Sequence, residues 1–511
     1  MIDPHVGQVV RSYRSDVAAW RQAVVDRLAG DRLAGLYCAH SEQADTAQIY
    51  ALVGSATRID CLGCELAADE QGILTYRSLT PEIPAAFWYE RALHDLSGVT
   101  PTGHPRLEPL LLPPVENAAA PLPGAGSHIE IQLTAVDEFG PVDVEGEGIF
   151  ALPFGPVRSG VFESIEFLIE SPGENIPYLT IRPHYKHRGM AKRFEGLPPA
   201  DAVLVAERVE GISTIAHALA FSHAVEAAAG VRPPEYARLS RVIYAELERI
   251  ANHLDVATRL SEAAGLAVAQ SRLGWHKETA MRLMSSLCGS RFGRSVIVPG
   301  GVAKPLELDP EHVASAAGIL GARVGADMRA LLDDASFLDR LRATGVLDES
   351  LAKQHGTLGP IGRASACNND CRQQRPYDGY LDLPPVVPSI DRAGDAMARL
   401  AVRRHEMAAS FQLIVQAADR LQSNHLSRGD RRPSIEMDGL RDGVFLGWAE
   451  AAQGEVLYAL HLQGGVVQRC FARSPGLHNL LLFRHVFRTD IFTDFPFIEA
   501  SFGLSYAGVA M

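Results

Sequence analysis

The chain lacks any run approaching the roughly 20 consecutive apolar residues that a bilayer-spanning helix needs. Its first residues, Met1-Ile2-Asp3-Pro4-His5, hold no basic stretch leading into an apolar one, so no secretory leader is expected. Cysteine is scarce and odd in number, seven in 511 residues. That excludes a disulfide framework and points to a reducing, cytoplasmic compartment. Positive charge is in deficit: the net charge of −13 leaves no basic surface for nucleic acid and none for simple adsorption on anionic lipid. No Gly-x-Gly-x-x-Gly follows a strand pattern, so no dinucleotide-binding fold is read from this chain. Internal repeats are also missing. What remains, 47% hydrophobic and 21% charged residues, is the balance of an ordinary globular protein, long enough for about two or three domains.

Taken in order, residues 1–111 read as a small α/β domain. An amphipathic helix is expected from Asp16 to Leu28, with short apolar runs after it. A second helix over Phe87–Ser97 is stopped by Gly98. Residues 112–127 are rich in Pro, Ala and Gly and read as a linker. Beyond it, Ile129, Ile131 and Leu133 alternate, as do Phe150, Leu152 and Phe154, then Ile165, Phe167 and Ile169. These are expected strands. From Pro199 the pattern turns helical. Ala206 to Glu226 reads as the start of a long buried helix, with Val209, Ile212, Ile215 and Leu219 leaving no wide polar face. Further helices are expected around Tyr236–Leu254, Gln270–Cys288 and Asp391–Gln422. The fold class is α+β: the small domain, then a large, mainly helical domain over 128–511 that begins with a β-sheet.

Several segments carry a resemblance. Glu207-Arg208-Val209-Glu210-Gly211-Ile212-Ser213, with His217, resembles the first metal-binding motif of NiFe-hydrogenase large subunits, with Glu210 and Ser213 where that family has cysteine. It equally resembles the 49-kDa (D) subunit of complex I. Glu90, Arg91, Asp95 and Gly98, then Gly103-His104-Pro105, resemble the signature of the 30-kDa (C) subunit, a domain without a cofactor. Gly155-Pro156-Val157-Arg158 to Glu163 resembles the loop bordering the active site in energy-converting hydrogenases, with Arg158 in place of histidine. His187-Arg188-Gly189, Arg249 to Leu254 and Gly362 to Tyr380 resemble further turns of both families. At the C-terminus Ser505 and Gly508 fall where hydrogenases have their second cysteine pair. The order is that of the fused C/D large subunits of the formate hydrogenlyase and hydrogenase-4 kind.

The resemblance implies a subunit of a membrane-associated, complex I- or hydrogenlyase-related oxidoreductase. It would assemble with an iron–sulfur subunit of the 20-kDa type carrying a 4Fe-4S cluster, and with antiporter-like and heel membrane subunits. The chain would sit on the cytoplasmic face, held to the membrane by partners only, with any NADH bound elsewhere in the complex. A NiFe centre needs soft thiolates; Glu210, Ser213, Ser505 and Gly508 supply none, so no cofactor bound by this chain is expected. The quinone-holding histidine and tyrosine of complex I fall at Arg158 and Val205, and valine cannot donate a hydrogen bond; a quinone would need a rebuilt pocket. The candidate site is therefore a line of ionisable groups, Arg158, Glu163, Glu207, Arg208, Glu210 and His217. Two readings stand: a charge network that replaces the cofactor in a non-catalytic scaffold, or a proton-handling, redox-coupled pocket. Cys61 and Cys64 form a lone Cys-x-x-Cys without a second pair at zinc spacing. That pair, like Cys367 and Cys371, is expected to be free thiols. His104, His187 and His253 are expected to be structural.

Overall fold

The computed structural model describes residues 10–13, 16–40, 46–112, 146, 148–158, 161, 163–424, 426, 429, 431 and 439–511. Of the expected linker only Leu112 is described, and Ile129, Ile131 and Leu133 lie outside the described residues.

The N-terminal part is a sheet in the order β1-β4-β3-β2, formed by β1 (Val10–Tyr13), β2 (Arg32–His40), β3 (Thr46–Gly54) and β4 (Ile59–Ala67). β2, β3 and β4 form an antiparallel meander and β1 joins β4 in parallel. Helix α1 (Val17–Leu28) starts where expected, because the Asp16 carboxylate accepts the Ala19 amide at 2.8 Å. Its Trp20 indole donates to the Leu62 carbonyl at 2.9 Å and seats the helix on β4. Helix α2 (Phe87–Ser97) ends at Gly98, whose φ of 68° turns the chain. Glu90 on α2 is buried and accepts from Tyr76 at 2.8 Å, Ser78 at 2.6 Å and the Leu79 amide at 2.7 Å. Asp95 accepts the amides of Leu110 and Leu111, each at 2.7 Å. The helix is thus stitched to the chain before and after it. A short parallel pair, β5 (Thr75–Arg77) and β6 (Thr100–Thr102), flanks it.

The larger part opens with the antiparallel strands β7 (Phe150–Phe154), β8 (Glu166–Ser171) and β9 (Tyr178–Arg182). β8 is buried on both faces, including Glu166 and Glu170, and Arg182 donates to Glu166 at 2.9 Å. Helices α3 (Pro199–Ala206), α4 (Thr214–Ala229), α5 (Glu235–Ala263), α6 (Ala267–Cys288), α7 (Pro310–Leu332) and α8 (Ala396–Ser423) follow, then strands β10 (Gly443–Ala451), β11 (Gly454–Gln463) and β12 (Val466–Arg473), and helix α9 (Phe495–Phe502). Two expectations need correction. The stretch from Ala206 is not one helix: α3 stops at Ala206, and Glu207 to Ser213 is a turn before α4. The carbonyls of Arg208 and Val209 go to the Arg188 guanidinium, and the Glu207 carboxylate takes the Ser295 amide, so distant partners replace the helical ladder. The last long helix begins at Ala396 rather than Asp391, capped by Asp395.

Helix α4 is the axis of the molecule, buried from Thr214 to Ala228. It lies against β10, and a Cβ on Gly447 would stand 2.1 Å from the Ala220 carbonyl oxygen, so only glycine admits so close a helix–strand approach. α5 packs on α6 and α8 around it. The two parts join through polar contacts: Arg32 donates to Glu455 at 2.5 Å, Tyr37 pairs with His461 at 2.9 Å, and Arg473 donates to the Ala34 carbonyl at 3.1 Å. No helix among the described residues is long and apolar enough to cross a membrane.

Candidate functional site

The turn from Glu207 to Ser213 delivers Glu210 into the centre of the molecule, fully buried. Its Oε1 lies 2.8 Å from His217 Nε2 on α4, and His217 Nδ1 lies 2.9 Å from the Tyr458 hydroxyl on β11. The geometry is satisfied when Nε2–H donates to the carboxylate and Nδ1 accepts from the phenol. Ser474 adds a hydroxyl at 3.3 Å. Oε2 of Glu210 has no hydrogen-bond partner among the described residues. It faces Gly508, where a Cβ would stand 2.4 Å away.

Beside it, Glu163 accepts from Ser505 Oγ at 2.9 and 3.1 Å and from the Ala507 amide at 2.8 Å. Ser505 Oγ in turn lies 3.4 Å from the Gly508 amide. Arg188 spans the two segments. It donates to the carbonyls of Arg208 at 3.0 Å, Val209, and Ala507 at 3.2 Å. Burial lowers its pKa, and the charges of Glu163 and Glu210 oppose that. His187 Nδ1 lies 2.7 Å from the Ala510 carbonyl, the structural role expected of it.

The expected line of ionisable groups is not continuous. Glu163, Glu210 and His217 come together with Ser505 and Gly508. Arg158 is engaged elsewhere. It makes a two-pronged pair with Glu499 at 3.0 and 2.5 Å, and its guanidinium lies 4.7 Å from the ring centre of Phe154 and 5.0 Å from that of Phe167. Tyr506 donates to the same Glu499. Burial works against the Arg158 charge, but Glu499 outweighs it and the pKa is raised. Glu207 turns the other way, taking the Ser295 amide at 2.6 Å and Arg208 at 3.3 Å; desolvation raises its pKa. Arg208 itself reaches the surface, its side chain half exposed. Val205 sits half-buried on α3, in a row that offers no donor.

Glu210, Ser213, Ser505 and Gly508, the positions expected to stand for the four hydrogenase cysteines, present a carboxylate, two hydroxyls and a bare backbone. That donor set does not fit a soft bimetallic centre. The space between Glu210 and Gly508 is occupied by the carboxylate itself. Among the described residues, no group of three or more His, Cys, Asp and Glu side chains is arranged to hold a metal ion.

Four residues at or beside this site were not singled out from the sequence: Tyr458, Ser474, Glu499 and Glu248. The first three come from segments far along the chain. Glu248 had a local signal, a third charge in Glu246-Leu247-Glu248-Arg249 on a helix otherwise buried. It accepts the amides of Ile215 at 2.7 Å and Ala216 at 3.1 Å, capping α4 from outside. Its pKa is pushed up to about 8 by desolvation, with the charge of Glu210 adding and the two amides subtracting. Below it lies a buried ionic cluster. Glu246 meets Arg249 and Arg372 at 3.1 Å each, and Glu406 meets His253 at 2.9 Å and Arg363 at 2.8 Å. This accounts for His253 as a structural residue.

Two family models match the two parts of the chain in turn. Residues 10–122 match the family "Respiratory-chain NADH dehydrogenase, 30 Kd subunit", and residues 272–509 match the family "Respiratory-chain NADH dehydrogenase, 49 Kd subunit". Between them, residues 188–256 match "Nickel-dependent hydrogenase". The chain is thus a 30 Kd-type and a 49 Kd-type domain in one polypeptide. Its relatives include formate hydrogenlyase subunit 5 of Escherichia coli, 27% identical over 84% of this chain and 76% of that one, and hydrogenase-4 component G of the same organism, 26% identical over 84% and 75%. The fused C/D protein of NADH-quinone oxidoreductase from Cereibacter sphaeroides is 28% identical, the match spanning 66% of this chain and 61% of that protein. A chain of the membrane-bound sulfane sulfur reductase, an archaeal respiratory membrane complex, shares the fold with a TM-score of 0.67 at 23% identity, covering 73% of this chain and all of that one.

Proposed function

We propose that this chain is the large subunit of a membrane-associated oxidoreductase complex related to complex I and the hydrogenlyases, and that it takes part in electron transfer without a NiFe centre of its own. The observation that carries the reading is the contact of the Glu210 carboxylate with Gly508, two residues that by resemblance stand at hydrogenase cysteine positions. Oxygen donors and a filled space cannot hold nickel with its diatomic-bearing iron partner. What they can do is hold a proton. Glu210, His217 and Tyr458 form a chain of three ionisable groups in direct hydrogen-bond contact, and such a chain passes a proton without moving a heavy atom. The partners in this reading are an iron–sulfur subunit of the 20-kDa type, whose 4Fe-4S cluster supplies the electron, and antiporter-like and heel subunits in the membrane. The chain itself is peripheral, on the cytoplasmic face. A quinone, where one is used, binds outside the Arg158–Val205 region, because Arg158 is committed to Glu499.

Purification of the intact complex with metal analysis and a pH-resolved turnover assay tests the proposal. Iron without stoichiometric nickel is expected, together with a Glu210→Gln complex whose pH profile is altered. Stoichiometric nickel would sink the reading of the metal site. A Glu210→Gln complex that turns over like wild type at every pH would leave the non-catalytic scaffold as the better description.

A further inference from the structure

A cavity of about 540 Å³ lies between the β8–β9 turn and the segment that leads into α9. Its frame is fixed: Asn175 bridges to Ile491, and the Phe492 amide donates to the Glu174 carbonyl at 2.9 Å. Pro172, Ile176 and Pro177 of the turn line it, with Arg484, His485 and Arg488 of the later segment. Arg484 is half-buried. Its guanidinium lies 5.5 Å from the ring centre of Phe87 and 5.9 Å from that of Tyr178, so two aromatic rings hold it in place. Its Nε–H donates to His485 Nε2 at 3.2 Å. A guanidinium only donates, so that ring nitrogen is unprotonated and His485 is neutral, with its proton on Nδ1. Burial and the Arg484 charge hold the His485 pKa down at about 4, in accord with that tautomer. The terminal nitrogens of Arg484 and Nδ1 of His485 have no acceptor among the described residues and are not sealed from solvent. Arg488 is exposed and has no carboxylate at ion-pair distance among the described residues. The neighbouring acids are engaged. Glu108 holds Arg106 at 2.6 Å, Asp348 accepts the amides of Ser350 at 2.9 Å and Leu351 at 3.2 Å, and Asp490, which also lines the cavity, accepts the Gly345 amide at 3.0 Å. Two guanidinium charges thus line one cavity without an ion-pair partner, one of them half-buried, where a buried charge is normally paired.

We propose that this cavity binds a phosphate monoester, whose oxygens accept from the guanidinium groups of Arg484 and Arg488 and from Nδ1–H of His485. The inference is independent of the reading of Glu210. A phosphate monoester carries a charge of about −1.5 to −2 at neutral pH and three strong acceptor oxygens, which answers two free cations and one neutral donor. A carboxylate, with a single charge, would leave one guanidinium unmet. Arginine suits the task because its planar fork meets two phosphate oxygens at once, and the rings of Phe87 and Tyr178 fix that fork before the ligand arrives. The volume falls in the range of small-molecule sites, about 300–1,000 Å³, so there is room beyond the phosphate for an organic body against Pro172, Ile176 and Pro177. A lipid headgroup offers the same chemistry. The net charge of −13 opposes approach to an anionic bilayer, which makes a free ester the ligand here.

The test titrates the full chain with inorganic phosphate near neutral pH and follows the melting temperature, with chloride at matched ionic strength as the reference. A saturable rise with phosphate that chloride does not give is expected in wild type. In Arg488→Gln the half-saturating concentration should increase about tenfold, the effect of one lost charge-assisted hydrogen bond, and in Arg484→Gln by at least as much. Arg488 is exposed, so its variant keeps the fold and decides alone should Arg484→Gln not fold. A phosphate effect no larger than that of chloride, or a half-saturating concentration unchanged in Arg488→Gln, overturns the proposal. A second arm mixes the chain with vesicles of phosphatidylcholine with and without phosphatidic acid. No co-sedimentation with either is expected. Sedimentation that requires phosphatidic acid and is abolished by Arg488→Gln would make a lipid headgroup the ligand and overturn the assignment to a free ester.

Discussion

The Glu210 carboxylate and Gly508 are in contact: a Cβ on residue 508 would stand 2.4 Å from Glu210 Oε2 and 2.5 Å from Ser474 Oγ. Glycine at 508 is therefore a steric consequence of Glu210 and Ser474 together. Gly508→Ala is expected to destabilise the chain by about 1–3 kcal/mol, the usual cost of overpacking a filled core. In a Glu210→Ala background the cost shrinks, because two of the three obstructing atoms, Oε2 and Cδ of Glu210, are gone. Urea denaturation of the two single variants and the double variant gives the coupling. Strictly additive costs would mean that the carboxylate is not what keeps residue 508 bare. The same contact means that a cysteine cannot be restored at 508 alone.

Arg158 and Glu499 form a two-pronged ion pair. The Arg158 side chain is 6% exposed and lies between two phenylalanine rings, so its charge depends on Glu499. Arg158→His removes the two-pronged contact and leaves a carboxylate held only by Tyr506. A loss of about 3–5 kcal/mol is expected, as for breaking one side of a buried pair. Adding Glu499→Gln to Arg158→His recovers part of it. Thermal melts of the three variants decide. No recovery in the double variant would show that the rings, and not the charge, hold Arg158.

How much of this was legible depended on how local the cause is. Helix α2 was readable to its last residue because Gly98 and the Glu90, Arg91 and Asp95 pattern act within a few turns. The break after Ala206 was not readable. Val209 and Ile212 continue the helical spacing, and the partners that unwind it, Arg188 and Ser295, lie about one and several elements away. The sheet β10–β12 was missed although Gly454 and Gly464-Gly465 punctuate runs such as Val444-Phe445-Leu446, a usable strand-turn signal. For the site, the ionisable residues were found by resemblance, but their grouping was not. Arg158 and Glu207 were placed with Glu210, and the fold sends both to other partners. Glu499 and Tyr458, which set what Arg158 and His217 do, carry no signal near them in the chain.

The buried ionic cluster is expected to contribute to acid stability through Glu246. Glu246 is held down to about 2 against desolvation by Arg249 and Arg372, with hydroxyls of Ser410 and Tyr380 helping. Its folded pKa lies below its unfolded one, so its stabilisation is present above about pH 4.5 and is lost as the pH falls toward 2. A shift of that size corresponds to about 3 kcal/mol. The urea midpoint should therefore drop steeply between about pH 4.5 and 2.5. Glu246→Gln should be less stable at neutral pH, because two buried arginines lose a charge partner, and its midpoint should depend less on pH in that window. An unchanged acid slope in Glu246→Gln would assign the effect to other carboxylates.

The Cys61 and Cys64 pair should be chemically silent. On β4 the two residues are three apart, and side chains alternate faces with a period of two, so the thiols point to opposite sides of the sheet. They join separate apolar clusters, Cys61 with Tyr37 and Leu52 and Cys64 with Ile49 and Leu66. They cannot grip one ion together. Burial pushes the Cys61 thiol up to about 12 and the Cys64 thiol, aided by Asp16 and Glu65, to about 11. At pH 8 the thiolate fraction is then on the order of a thousandth or less, and the thiolate is the reacting form. Maleimide treatment of the folded chain followed by peptide mass mapping should leave both unlabelled, with full labelling after denaturation in urea. Modification of either before unfolding would mean that β4 opens locally, and would point to the edge pairing with β1, where only four residues hold the strand.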